Sequence, residues 1–284
     1  MKNFRDYITL TKPRLNSLAL LTTLAGFYMG SGAALNWGLM ALSLAGTTAI
    51  AAGCATLNQW FEVEEDKKMT RTRKRPLAAG RLKSADAFWF GLFLSAAGIL
   101  ALFFFVNDLT AFLGVSALVS YVVLYTPLKK ITSLCTVVGA IPGALPPMMG
   151  WAAAQNQIGQ GGWALFLILF FWQMPHFLAI GWIYREDYAR AGFPMLTVLD
   201  RKGEWTSLMA LLYAAALLPA SLMPAYLHMT GPAYFWVALA LGLAFIFCCA
   251  LLAWHKTTLY ARGLFWCSIT YLPLLFGAIV LDKT

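Results

Sequence analysis

Asn58, Glu62 and Asp66 recur at every fourth position of the stretch "NQWFEVEEDKKM". Four residues advance a helix by ~400°, so the three side chains drift only ~40° per step and share one face over roughly 12 Å. An amide and two carboxylates stacked this way are hard oxygen donors, suited to Mg²⁺ completed by phosphate and water. The charge then reverses in "RTRKRPL". Arg71 and Arg75, again four apart if this segment is helical, offer forked guanidiniums that match phosphate oxygens. Acids that hold a cation, followed by arginines, make a diphosphate clamp. Lys67, Lys68 and Lys74 read chiefly as anchors of a basic membrane face, and Glu64 and Glu65 as solvated or paired with those lysines.

A second polar cluster follows "WQMPHFLAI". His176 sits after Pro175 in an apolar run, where the proline is expected to kink the helix. It reads equally as a ligand or as a hydrogen-bonded polar residue inside a bundle. Tyr184, Arg185, Asp187 and Tyr188 come about two turns later. Asp187 places a second acid on the membrane face of Asp66, as in sites that grip a diphosphate with metal from both sides. The plainer reading makes it a helix-end acid paired with Arg185 or Arg190. Between the clusters, Tyr121, Tyr125 and Lys129 are again four apart. The tyrosines either line a site that shelters a carbocation or belong to the interfacial aromatic belt. The next run, "TVVGAIPGALPPMMGW", is expected to be a helix broken at Pro142, Gly143, Pro146 and Pro147, which membranes tolerate beside a cavity or within protein.

The elements that must position these groups are membrane helices. Of 284 residues 60% are hydrophobic and 12% charged, more apolar surface than a soluble domain of this size buries. Apolar runs near 15–34, 38–61, 86–106, 109–126, 134–153, 162–183, 207–227, 233–253 and 263–281 each suffice to span a bilayer at ~1.5 Å per residue. The expectation is an all-α, polytopic membrane protein: one domain over 1–284, nine transmembrane helices, and charge-rich polar loops at about 62–85 and 184–206. Twenty of the 21 Lys and Arg fall on one side of such a bundle, Lys283 being the exception. That side is therefore cytoplasmic, with the N-terminus on it and the C-terminus opposite, in a bacterial-type inner membrane. No cleavable signal is evident in "MKNFRDYITLTKPRLNS". The net charge of +9 is thus a topology signal and not a nucleic-acid footprint. Cys54, Cys135, Cys248, Cys249 and Cys267 show no metal-ligand spacing and read as packing residues.

These motifs resemble the UbiA-type intramembrane prenyltransferases, whose first motif is NxxxDxxxD, and within them the haem-prenylating branch. The resemblance runs through "TKPR", "YTPLKK", "VVGAIPGALPPMMGW", "WQMPHFLAI", "YREDYARAGFPML" and "SITYLPLLF". It implies nine helices around a central cavity open to lipid, under a polar cap made by the loops at about 62–85 and 184–206. It also implies transfer of farnesyl from farnesyl diphosphate to a vinyl group of haem B, with water addition and Mg²⁺. It allows a downstream haem-oxidising enzyme as a partner. By the same resemblance Asn58, Glu62 and Asp66 are the first magnesium motif and Asp187 the second; Arg71, Arg75 and Lys129 bind diphosphate. Two departures stand out: Glu62 where the pattern has Asp, and Tyr184 and Tyr188 at the ends of a second motif that carries Asp in relatives acting on aromatic acids. The latter separates this chain from the alternative, a prenyltransferase for a quinone precursor. A secondary transporter would need paired broken helices and midplane polar groups, whereas the polar groups here gather at one face.

Overall fold

The computed structural model describes residues 4–284 except residue 33; Lys2, one of the basic residues counted above, lies outside them. The described chain is helical, with connecting turns and bends and one isolated bridge between Thr230 and Lys283. The helices are α1 (Phe4–Leu10), α2 (Pro13–Gly30), α3 (Trp37–Phe61), α4 (Val63–Lys68), α5 (Ser84–Phe105), α6 (Asp108–Leu118), α7 (Thr126–Leu128), α8 (Cys135–Gln155), α9 (Gly159–Ile183), α10 (Arg185–Ala191), α11 (Leu196–Leu199), α12 (Glu204–Tyr226), α13 (Pro232–His255) and α14 (Thr258–Leu281). Asn36 and Asn107 start α3 and α6 by accepting from the N–H groups of Leu39 and Thr110, N-caps that satisfy donors the helix itself leaves orphaned.

Among the described residues eight helices are long and apolar enough to cross a membrane: α3, α5, the run Asp108–Leu128, α8, α9, α12, α13 and α14. They correspond to eight of the nine expected runs. The other, at 15–34, is the 18-residue α2, whose first turns carry Arg14, Asn16 and Ser17. The bundle centres on α8 and α9, whose apolar windows are 67% and 61% buried; that of α5 is only 22% buried. Phe93, Phe103, Phe104, Trp236 and Phe247 point outward instead, as side chains facing hydrocarbon should.

The expected break at the prolines does not occur. α8 is one helix through Pro142, Pro146 and Pro147; α9, where Pro175 is expected to kink the helix and not to break it, is continuous as well. Neighbours hold α8 in place: a Cβ on Gly26 would lie 2.0 Å from Pro147 O, and one on Gly150 2.0 Å from Thr23 O. Only glycine permits backbones that close. Side chains also donate to the α8 backbone, Gln173 Nε2 to Ala140 O at 2.7 Å and Asn107 Nδ2 to Ala152 O at 3.0 Å, so local proline geometry loses to tertiary packing. The irregularity falls elsewhere, on the π-helical turn Val119–Tyr125 between α6 and α7.

Lys283, the exception in the charge count, caps a helix. Its Nζ donates to Tyr28 O and Ser31 O, both at 2.6 Å, and lies 4.5 Å over the Tyr28 ring, a cation placed at the negative end of α2. Asp282 beside it accepts from Tyr234 N at 2.7 Å, at the start of α13. The tail thus ties α2, α13 and α14 together at the end of the bundle away from the basic loops. The buried residues of α2 all lie within residues 22–30, so its first half, towards the basic face, is uncovered.

Candidate active site

Asn58, Glu62 and Asp66 form one row, although the helix does not run straight through them. α3 ends at Phe61 and α4 restarts at Val63. The register survives the junction, because Glu62 N donates to Asn58 O at 3.0 Å and Asp66 N to Glu62 O at 2.8 Å. All three side chains are buried, at 3%, 2% and 3% exposure.

Each of the three has a basic partner from a different part of the chain. Lys12 Nζ donates to Asn58 Oδ1 at 3.2 Å, and Asn58 Nδ2 to Thr126 Oγ1 at 3.3 Å. Lys129 Nζ meets both Glu62 oxygens at 3.1 and 3.0 Å. Arg75 Nη1 spans both Asp66 oxygens at 2.9 and 2.7 Å. Burial, followed by the nearby Arg75 guanidinium, pulls the Lys12 ammonium down to about 7 against the pull of Glu62. At Lys129 burial also acts downward, but Glu62 and then Tyr188 outweigh it and raise the ammonium above its ordinary value. Sequence reasoning missed Lys12. Its signal lay in "TKPR": the lysine adopts a left-handed conformation (φ 48°) just before the Pro13 that opens α2, and no helical periodicity points there.

Arg71 and Arg75 do not share a helix face. Residues 70–82 are turns and bends, because Met69 is extended and Pro76 follows directly after Arg75, so the two arginines part. Arg71 instead stacks 5.1 Å over the Tyr184 ring, and its Nη2 reaches the Tyr188 hydroxyl at 3.4 Å. Its backbone N–H donates to Asp187 Oδ2 at 3.2 Å, while Arg190 pairs with Asp187 Oδ1 and donates to Thr70 Oγ1 at 3.0 Å. Burial alone would raise the Asp187 carboxyl; the N–H groups of Arg71 and Thr70 and the Arg190 guanidinium outweigh it and hold it below the usual range. Met69, Tyr188, Ala191 and Phe193 pack together beneath, joining the loop after α4 to α10. Phe193, also missed, lies 4.6 Å from Lys129 Nζ; Tyr188 and Tyr125 are at 5.9 and 6.0 Å. Tyr121 and Tyr125 remain neighbours at 5.4 Å across the π-helical turn.

Two expected residues stand apart from this cluster. Arg185 lies over the Trp182 ring at 5.7 Å. His176, deeper in α9, is bonded to Ser268 and stacked between Trp172 and Phe265. Among the described residues no three His, Cys, Asp or Glu side chains converge as a ready metal cage. The row of Asn58, Glu62 and Asp66 nevertheless fits Mg²⁺ chemically, since its oxygens are hard and that ion commonly takes only one or two carboxylates beside phosphate and water.

The fold and site are those of an α-helical membrane bundle with a buried acid–amide row and converging basic groups at one end. The chain belongs to the UbiA prenyltransferase family, whose profile matches residues 19–279. It is 47% identical over 288 residues to the protoheme IX farnesyltransferase of Solibacter usitatus, covering 98% of this chain and 99% of that one. It is 44% identical over 284 residues to the protein of the same name from Myxococcus xanthus, covering 98% and 94%. Its fold is that of a solved digeranylgeranylglyceryl phosphate synthase (TM-score 0.83, 17% identity, 99% of each chain). It is also that of a UbiA homologue from Archaeoglobus fulgidus bound to GPP and Mg²⁺ (TM-score 0.70, 17% identity, 96% and 99% covered).

Proposed function

We propose that this chain transfers the farnesyl group of farnesyl diphosphate to a vinyl group of protohaem IX, with addition of water, giving haem O and diphosphate. The names of its relatives supply the reaction, and one observation carries it onto these residues. Three buried oxygen-bearing side chains, each met by a separate cation, lie at one end of an apolar bundle. No structural demand of a bundle accounts for that arrangement, because ions near a bilayer are costly.

Asn58, Glu62 and Asp66 would hold Mg²⁺ from one side and Asp187 from the other. The ion, when bound, neutralises charge that grows on the departing diphosphate. Lys12, Arg75, Lys129 and Arg71 bind the remaining diphosphate oxygens, and their charges oppose the one that develops as the C–O bond breaks. The bonding pair leaves with the diphosphate. Tyr121, Tyr125 and Tyr188 present ring faces to the allylic cation that remains, and the surrounding apolar side chains keep bulk water away. The vinyl π-pair of haem forms the new C–C bond; water then adds to the porphyrin-side cation and releases a proton. Tyr184 borders the site on the α10 side through Arg71, while Arg185 and the deeper His176 of α9 lie to one side of it and serve the acceptor.

In this reading the domain spans 1–284 and Pro13–Gly30 is a ninth crossing. The loops at about 62–85 and 184–206 form a cap at the cytoplasmic face of a bacterial-type inner membrane, with the N-terminus on that face and the C-terminus opposite. The test is to express the chain in a bacterial host lacking haem O and to resolve extracted haems by reversed-phase chromatography and mass. The expected product is haem heavier by farnesyl plus water, absent with Asp66→Ala. Haem B alone, from folded protein with farnesyl diphosphate present, would sink the assignment.

A further inference from the structure

His176 carries a fixed tautomer. Its Nδ1 lies 2.7 Å from Ser268 Oγ, and that hydroxyl already donates its single hydrogen to Phe265 O at 2.6 Å. The hydroxyl must therefore accept, which puts the imidazole proton on Nδ1. In a neutral ring Nε2 is then left with its lone pair, and no hydrogen bond to Nε2 exists among the described contacts. The ring is held in place as well, stacked at 17° on Trp172 and 20° on Phe265, with Trp172 Nε1 donating to Ser268 O at 2.9 Å. An oriented imidazole that donates through one nitrogen and leaves the other bare is the arrangement proteins use to present a histidine to a metal.

Above it, at the basic face, a cleft of about 480 Å³ is bordered by Arg71, Arg185, Arg190, Trp182 and Thr258. The Arg185 guanidinium rests on the Trp182 ring, and none of the described ion pairs gives it a carboxylate. A planar guanidinium braced on an aromatic face is set up for bidentate contact with a carboxylate. The cleft and the histidine lie along one seam. Seven residues separate His176 from Ile183 on α9, and seven separate Phe265 from Thr258 on α14, a spacing that returns to the same helix face. At ~1.5 Å per residue the vertical distance is roughly 10 Å along either helix. That is comparable with the reach from the centre of a porphyrin to its carboxylates.

Resting on the function proposed above, we infer that the α9–α14 seam is the acceptor site: a metalloporphyrin dicarboxylate sits there with its carboxylates against Arg185 and Arg190 and its iron at His176 Nε2. The carboxylates and the vinyl groups of protohaem occupy opposite edges of the ring. Anchoring the first in the cleft turns the second into the bundle. Arg71, between Tyr184 and Asp187, then separates the acceptor's carboxylates from the diphosphate.

Three porphyrins test this on the full-length protein in nanodiscs, by absorbance titration in the Soret region: haem B, iron-free protoporphyrin IX, and the dimethyl ester of haem B. Arg185→Gln is expected to weaken haem B and the iron-free ring about tenfold, the worth of one charge-assisted contact, and to leave the ester unchanged. His176→Ala is expected to abolish the Soret shift of haem B and weaken it and its ester, while iron-free protoporphyrin binds as before; that retained binding also shows the variant is folded. Farnesylation of haem by the wild type is measured alongside. If the wild type converts haem but Arg185→Gln binds iron-free protoporphyrin normally, or His176→Ala keeps the Soret shift, the seam is not the acceptor site and the proposed reaction stands. If the wild type binds farnesyl diphosphate but neither binds nor converts haem, the reaction fails and this site with it.

Discussion

The two acidic sides of the basic face are built differently. On the α3–α4 side, three buried oxygen-bearing side chains each face a basic group brought from another segment: Lys12, Lys129 and Arg75. On the α10 side the buried acid, Asp187, beside the exposed Glu186, is bound mostly by backbone N–H groups of the Arg71 loop and by its near neighbour Arg190. The first side concentrates buried charge that, in the proposed function, is exchanged for a metal and a diphosphate. The second stitches a loop. The contrast teaches that the acids are not equivalent: under the proposed function the α3–α4 row would carry the chemistry, while Asp187 holds the backbone of Arg71 in place.

The largest effect should come from Asp66→Ala, which removes a buried oxygen pair and frees Arg75. Loss of a preorganised electrostatic group at a reacting centre costs about 10²–10³-fold in kcat. Asp187→Ala should cost less, on the order of tenfold, in the same single-turnover assay with farnesyl diphosphate. Equal losses would erase the distinction between the two sides.

Next comes stability. Lys129→Ala leaves Glu62, 2% exposed, as a buried unpaired charge, and breaking such a pair costs about 3–5 kcal/mol. Adding Glu62→Gln should restore most of that loss. Denaturant unfolding in detergent, followed by tryptophan fluorescence, would show it; a double variant no more stable than the single one would mean the two charges do not depend on each other. Asp187→Asn should act more gently and locally. Amide exchange should rise in residues 69–80 with global stability within about 1 kcal/mol of wild type, since the asparagine can still accept from the Arg71 N–H and the Arg190 end of the ion pair is exposed and screened. Unchanged exchange there would refute the stitching role.

How much of this was legible follows from which forces are local. The Asn58–Glu62–Asp66 row could be read because i, i+4 hydrogen bonding persists even where α3 stops at Phe61. Its partners could not. Lys12 and Lys129 arrive from 46 and 67 residues away, and only the packing of α2 and α7 against α3 brings them in. The helix break assigned to Pro142, Pro146 and Pro147 failed for the converse reason, that close backbone contact with α2 outweighs a local preference. Arg71 and Arg75 shared a face only on the condition of a helix, which turns ahead of Pro76 do not supply. The eight long apolar spans were plain, since bilayer thickness acts on each run separately.

The smallest expected effect belongs to Lys67→Gln. Lys67 and Glu64 form an ion pair at 2.6 Å, the same length range as Arg75 with Asp66, yet their side chains are 47% and 72% exposed against 23% and 4%. Distance alone would rank the two pairs together; burial separates them. In water-like surroundings the pair gains little Coulomb energy and is screened by salt, so its loss should change stability by less than about 0.5 kcal/mol. Turnover should stay within about twofold at low and high ionic strength. A drop comparable with that of Asp187→Ala would mean that the field of the whole basic loop, and not the buried pairs within it, governs the diphosphate, and the contrast between the two sides would have to be redrawn around net charge.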